Sequence, residues 1–211
     1  FTIPEPPNAP FFGHPRMMAL SPDGQRLAFV AGAGAERRLW IRPLNSLVAQ
    51  PVPGTDGATT PAWSPDGRSI AFTSKNSSLA SGDAVLKRVD LPSSTIVTLG
   101  PSADANPAWS PSGVILYSGP GKTGLFQIPE SGGTPKAVTQ LDASQKERFH
   151  NWPTFLPDGR RFLFSVRSQD SNREKSALFL ASLDSPRRTH LLDGLTNAVH
   201  AGGFLVYQRN G

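Results

Sequence analysis

Ser21-Pro22-Asp23-Gly24 lies between two short apolar stretches, Met18-Ala19-Leu20 and Leu27-Ala28-Phe29. Proline presets φ for the first central position of a type I turn, aspartate suits the second, and glycine takes the left-handed position that closes the turn with a bulge. Two strands joined by such a turn make a β-hairpin. The same reading applies at Ser64-Pro65-Asp66-Gly67, at the degenerate Ser110-Pro111-Ser112-Gly113 and at Leu156-Pro157-Asp158-Gly159. The copies stand roughly 45 residues apart, a period that with strand patterning signals propeller blades.

Working outward, each copy has an apolar strand before the turn (Pro61-Ala62-Trp63, Pro107-Ala108-Trp109, Pro153-Thr154-Phe155) and an alternating one after it (Ile70-Ala71-Phe72, Ile115-Leu116-Tyr117, Phe162-Leu163-Phe164). Third strands are expected at 39–44, 85–91, 125–129 and 177–183, and fourth strands at 50–52, 96–99, 136–139 and 189–192. Four strands per unit is a propeller blade. The fold class is therefore all-β, a β-propeller of four-stranded antiparallel blades. The expected layout is one propeller domain or fragment: an extended segment at 1–15, blades at 16–57, 58–103, 104–148 and 149–195, and a partial fifth blade at 196–211 that turns at Gly202-Gly203. About four and a half blades are expected, as part of a ring of six. Phe1-Thr2-Ile3 is expected to lend an outer strand to the last blade, and 142–150 one short helix.

Composition narrows the function classes. Twenty glycines and 21 prolines in 211 residues suit a turn-dense all-β chain, and no apolar run is long enough to span a bilayer as a helix. No membrane insertion by these residues is expected. Without cysteine there are no disulfides and no thiol chemistry. The net charge of +5 raises nucleic-acid binding, but the basic residues are scattered pairs such as Arg37-Arg38, Lys87-Arg88 and Arg187-Arg188. Such pairs suit solvated strand edges, where they block edge-to-edge pairing. Nucleic acid is not expected as a partner.

Segments 20–30, 39–46, 49–55, 86–91, 113–117, 152–159 and 182–185 (for example Leu39-Trp-Ile-Arg-Pro-Leu-Asn-Ser46 and Trp152-Pro-Thr-Phe-Leu-Pro-Asp-Gly159) occur in an order that resembles a known family. The blades resemble those of TolB-like, WD-repeat-like propellers. The set as a whole is most similar to the C-terminal propeller of bacterial eukaryotic-like serine/threonine kinases. The resemblance implies a periplasmic or extracytoplasmic sensor or interaction domain, tethered through a segment outside these residues. The kinase motifs themselves (a Gly-rich loop with its strand lysine, His-Arg-Asp, Asp-Phe-Gly) do not occur here, so no kinase activity is expected from this chain.

Other constellations read as structural. Gly119-Pro-Gly-Lys-Thr-Gly124 has Leu116 where a phosphate loop needs its first glycine, and it joins two strands, so a hairpin loop is expected. The four histidines, His14, His150, His190 and His200, lack carboxylates at ligand spacing, and neither metal nor cofactor is expected. Trp63 and Trp109, in identical Pro-Ala-Trp-Ser contexts, are expected to pack between blades.

In propellers the segments leading into each innermost strand share one face with the second-to-third-strand loops. Long loops on one face of a repeat scaffold are the usual recognition surface. The candidate binding face is accordingly Arg16, Thr59, Thr60, Asn106, His150, Asn151, Trp152 and Asn197, with loops 33–38, 75–83 and 168–176. The expected partner is a protein or small-molecule ligand, with self-association through open blade edges. A stand-alone TolB-like scaffold, a propeller lyase and the propeller part of a prolyl-oligopeptidase-type peptidase are the alternatives.

Overall fold

The computed structural model describes residues 3–11, 17–75, 84–103, 107–121, 123–170, 173–201 and 203–209. The chain forms two compact units, Phe1–Pro107 and Ala108–Gly211. In the first unit one sheet runs β1 (Met18–Leu20), β2 (Arg26–Ala31), β3 (Arg38–Pro43), β4 (Gln50–Pro51). The next runs β5 (Ala58–Trp63), β6 (Ser69–Ser74), β7 (Ala84–Asp90), β8 (Thr95–Ser102). The second unit holds the sheet β9 (Ala108–Trp109), β10 (Val114–Ser118), β11 (Leu125–Pro129), β12 (Lys136–Ala137). It continues with β13 (Glu147–Phe155), β14 (Arg161–Asp170), β15 (Arg173–Ser182), β16 (Ser185–Asp193), and then the hairpin β17 (Leu195–Ala201) and β18 (Phe204–Arg209). Each four-stranded sheet is an antiparallel meander, the expected propeller blade.

The Pro-Asp-Gly turns form as their residues dictate. Gly24, Gly67, Gly113 and Gly159 all have φ between 66° and 76°, and each donates its N–H to the carbonyl three residues back. In the first two copies the aspartate caps the turn. Asp23 accepts from the Ser21 hydroxyl and the Gln25 amide, and Asp66 from Ser64 and Arg68. In the fourth copy leucine replaces the serine, and Asp158 accepts instead from the Arg160 and Arg161 amides and the Arg161 side chain. The third copy is one residue tighter, with Ser110 N–H reaching Val114 rather than a residue five on.

Period-2 alternation divides each second strand between two cores. On β2, Ala28 and Val30 face the neighbouring sheet and join Leu39, Trp63, Ile70 and Phe72. Leu27, Phe29 and Ala31 point the other way. On β14, Phe162, Phe164 and Val166 pack with Leu116 and Leu125 of the preceding blade, while Leu163 meets Leu178 and Ala198 on the hairpin side. Each such buried aromatic or aliphatic side chain contributes about 1.5–3 kcal/mol. Polar contacts repeat across blades too. Arg26 Nη2 donates to the Gly67 carbonyl at 2.8 Å, and Ser110 Oγ to that of Gly159 at 2.6 Å.

Trp63 packs between blades as its context predicts. Its indole N–H donates to the Ala19 carbonyl at 2.9 Å, with the Arg26 guanidinium 4.7 Å above its ring. Trp109, in the same tetrapeptide, donates to Glu130 Oε2 of its own blade at 2.8 Å. The segment Gly119–Gly124 joins β10 to β11, closed by the Gly119 N–H to Gly124 carbonyl bond at 3.0 Å.

Three expectations are corrected. Ile3 packs on the first blade, not as an outer strand of the last. With Phe11 it covers Leu27, Phe29 and Ala31, the apolar face of β2 left over by alternation, and Phe11 stacks edge-on against Phe29 at 5.2 Å. Phe1 and Thr2 lie outside the described residues. The 142–150 helix reduces to a 3-10 turn at Ala143–Gln145 capped by Asp142, because Lys146 turns left-handed (φ 53°) and the chain enters β13 at Glu147. The expected 168–176 loop is strand over its described residues. Ser168 pairs with Lys175, Gln169 with Glu174 and Asp170 with Arg173, so β14 and β15 stay laddered that far, and residues 171 and 172 lie outside the described ones. Most of loop 75–83 lies outside the described residues.

Candidate functional site

The first strands of three sheets share an irregularity. Between Thr59 and Ala62, β5 advances three residues while β6 advances two (partners Thr73 and Ala71). β13 does the same between Asn151 and Thr154, and β17 between Leu195 and Ala198. Each is a one-residue β-bulge, which bends the strand and re-aims its side chains. Thr60 and Trp152, each followed by proline, take φ of 43° and 55° in these bulges. Left-handed backbone is unfavourable for any residue with a Cβ and worst for a β-branched one. The surroundings hold Thr60 there. Its N–H points at Met17 Sδ (3.4 Å), and its hydroxyl shares Thr73 Oγ1 with Thr59, at 2.9 and 2.6 Å.

Of the residues singled out by sequence, Thr59 and Thr60 are buried in the first unit. In the second unit Asn151 and Trp152 are half-buried, and His150 is completely buried. Asn197 falls in the β17 bulge. Arg16 and Asn106 lie outside the described residues. Asn151 Oδ1 accepts from the Ser118 hydroxyl at 3.3 Å, and the same hydroxyl bonds the His150 carbonyl at 2.9 Å, tying β13 to β10.

His150 is the centre of a polar cluster. Its Nδ1 is 2.7 Å from Thr139 Oγ1, and Nε2 is 3.1 Å from Glu147 Oε2 and 3.2 Å from Arg188 Nη1. Thr139 Oγ1 already accepts the Leu125 N–H at 2.8 Å. The ionised Glu147 carboxylate can only accept, so Nε2 carries the proton and donates to it, and Nδ1 accepts from the Thr139 hydroxyl. Arg188 donates to both oxygens of Glu147, at 2.7 and 3.0 Å, and the Asp142 amide adds a bond at 2.7 Å. The guanidinium lies 4.8 Å from the Phe179 ring centroid, and the His150 ring meets Phe164 edge-on at 5.1 Å.

The electrostatics follow from burial and partners. Burial raises the Glu147 pKa, but the hydrogen bonds from His150, Arg188 and the Asp142 amide prevail and hold it at about 2. Burial of His150 disfavours its charged form more than Glu147 favours it, so its pKa lies below the ordinary histidine value. The ring is neutral at pH 7.

Sequence reasoning picked out His150 but missed Glu147, Thr139 and Arg188. In a regular strand residues three apart face opposite ways. A second bulge in β13, between Glu147 and Phe149, puts Glu147 and His150 on the same side. Among the described residues no group of three or more His, Asp or Glu side chains could hold a metal ion. No helix among them is long and apolar enough to cross a membrane.

The profile of the TolB beta propeller domain matches residues 15–199. No curated protein matches the chain. Among solved structures, TolB from Acinetobacter baumannii is similar with a TM-score of 0.66 at 16% identity, over 88% of this chain and 48% of that one. Putative TolB from Agrobacterium tumefaciens also scores 0.66 at 16% identity, over 83% and 64%. The β-propeller domain of the Trilobed protease from Pyrococcus furiosus scores 0.58 at 16% identity, over 88% and 61%. This chain thus spans less than two thirds of each of those chains, and identities this low speak for the fold alone.

Proposed function

The chain belongs to the TolB beta propeller domain family, and on that premise we propose that it is a non-catalytic recognition module, the extracytoplasmic sensor propeller of a receptor-like bacterial serine/threonine kinase. The recurrent bulge in β5, β13 and β17 is the observation that carries the recognition reading. The left-handed backbone held at Thr60 and Trp152 in two of these bulges costs stability at each, and such strain clusters where side chains are aimed at a ligand. Asn151 and Trp152, half-exposed beside their bulge, are the contact residues in this reading. Thr59, Thr60 and His150, being buried, act by holding the bulged strands of their own units. The ordered kinase-propeller segments from Leu20 to Ser185 support the kinase assignment.

A photo-reactive residue in place of Trp152, in the protein expressed in its own cells, tests recognition. Capture of one defined partner from that position, and not from the exposed Leu47, is expected. Equal capture from both positions overturns the face. The coding sequence upstream tests the rest. A membrane helix preceded by a kinase domain is expected, and an upstream signal peptide with neither would leave a stand-alone periplasmic scaffold.

A further inference from the structure

Arg188 stands between two clefts. One, of about 680 Å³, runs between the 137–144 segment and the start of β16, with Thr139, Gln140, Asp142, Ser144, Ser185 and Arg188 as its polar lining, the Asp142 carboxylate already taking the Ser144 amide and hydroxyl. The other, of about 350 Å³, lies on the side of Glu147, Lys175 and His190, and Arg188 lines it too. The larger volume suits a small-molecule ligand.

The guanidinium has two edges that can each take an oxyanion through a pair of N–H groups. Glu147 occupies the end between Nη1 and Nη2, at 3.0 and 2.7 Å. The other edge, Nε–H with the outward N–H of Nη2, takes no protein acceptor among the described residues, where Arg188 bonds Glu147, stacks on the Phe179 ring and only approaches the protonated His150 Nε2. The group is also rigidly backed. The Glu147 side chain is 3% exposed, that of His150 0% and that of Arg188 23%. An arginine fixed on one edge, stacked on one face and open on its second edge is preorganised for an anion.

We propose that the larger cleft binds a small monocarboxylate with a hydroxylated body, the carboxylate docking on the free Nε/Nη2 edge of Arg188 and the body meeting Gln140, Ser144 and Ser185. The buried Glu147 charge selects a single negative charge over a dianion such as phosphate. This site does not use Asn151 or Trp152, so its failure would leave the recognition reading intact.

The test is a calorimetric or chemical-shift titration of the full chain at near-physiological ionic strength, with gluconate, propionate and inorganic phosphate as probes. Saturable gluconate binding is expected, with propionate weaker and phosphate weakest. Arg188→Lys keeps the charge but loses the fork, and should weaken gluconate by about tenfold or more. Arg187→Gln, which removes an exposed neighbouring charge, should leave it unchanged. Gln140→Trp should block the cleft without touching the ion pair, and decides the matter if Arg188→Lys does not fold. Absence of saturable binding, equal losses in the Arg187 and Arg188 variants, full affinity in Gln140→Trp, or phosphate binding at least as tight as gluconate would each overturn the proposal.

Discussion

Arg188 donates to both carboxylate oxygens of Glu147 across 41 residues of chain, and the carboxylate it meets is 3% exposed. Breaking a buried pair leaves an uncompensated charge, whereas replacing both members by apolar groups of similar volume is often neutral. Arg188→Ala is therefore predicted to cost about 3–5 kcal/mol. The double variant Glu147→Leu/Arg188→Met should recover most of that loss. Urea unfolding of the two variants checks this, and a double variant no better than Arg188→Ala would refute the account.

Acid should destabilise the chain in two stages. His150 has a folded pKa below its ordinary value of 6.5, so the unfolded state takes up its proton first. Its stabilising contribution is complete above that pH and is lost as pH falls below it. Glu147, lowered from 4.5 to about 2, contributes stability that is complete above 4.5 and is lost as pH falls from there toward 2. Unfolding free energy measured against pH should show both slopes, and His150→Gln should remove the upper one. A wild-type profile flat between pH 7 and 5 would contradict this.

The turn glycines should differ in their tolerance of alanine. All are left-handed, a conformation that costs alanine about 1 kcal/mol relative to glycine. At Gly24 a Cβ meets nothing within 4 Å, so Gly24→Ala should lose only that. At Gly159 the Cβ would sit 2.8 Å from Ser110 Oγ, the group that bonds the Gly159 carbonyl from the preceding blade. Gly159→Ala should cost clearly more, and equal shifts in thermal midpoint would remove the inter-blade explanation.

Trp63 and Trp109 offer a second matched pair. Replacing each by phenylalanine keeps an aromatic side chain, and it removes the indole N–H together with the same ring volume at both positions. Trp63→Phe strands the Ala19 carbonyl at the junction of two blades, and a loss of about 1 kcal/mol is predicted. Trp109→Phe frees Glu130 within one blade and should cost less. The reverse order in chemical unfolding would count against the assignment.

The β17–β18 hairpin leaves Val199, Phe204, Val206 and Tyr207 exposed, Phe204 at 75%. Apolar side chains clustered beside an unpaired strand edge favour association. We predict concentration-dependent self-association of the isolated chain, shifted toward monomer by Phe204→Lys with Val206→Lys. Light scattering that finds the unmodified chain monomeric throughout would dispose of the idea.

Most of the blade was legible because its determinants are local. Pro22, Asp23 and Gly24 each bias their own backbone, the alternation in Leu27-Ala28-Phe29 assigns faces, and repetition of the set specifies four strands per unit. The bulges were invisible, because the extra residue at Thr60 or Trp152 is defined only by a partner strand's register. The loop expected at 168–176 failed for a related reason: polar residues there read as solvated turn, yet both strands keep their ladder. Ile3 was misplaced because only the folded sheet reveals that Leu27 and Phe29 need covering. The sequence by itself thus determined turns, strand faces and blade repeats, all set by neighbours a few residues apart. Tertiary structure alone decided that Glu147, His150, Thr139 and Arg188 meet, since two of them come from other strands or loops and Glu147 joins His150 only through a shift of register.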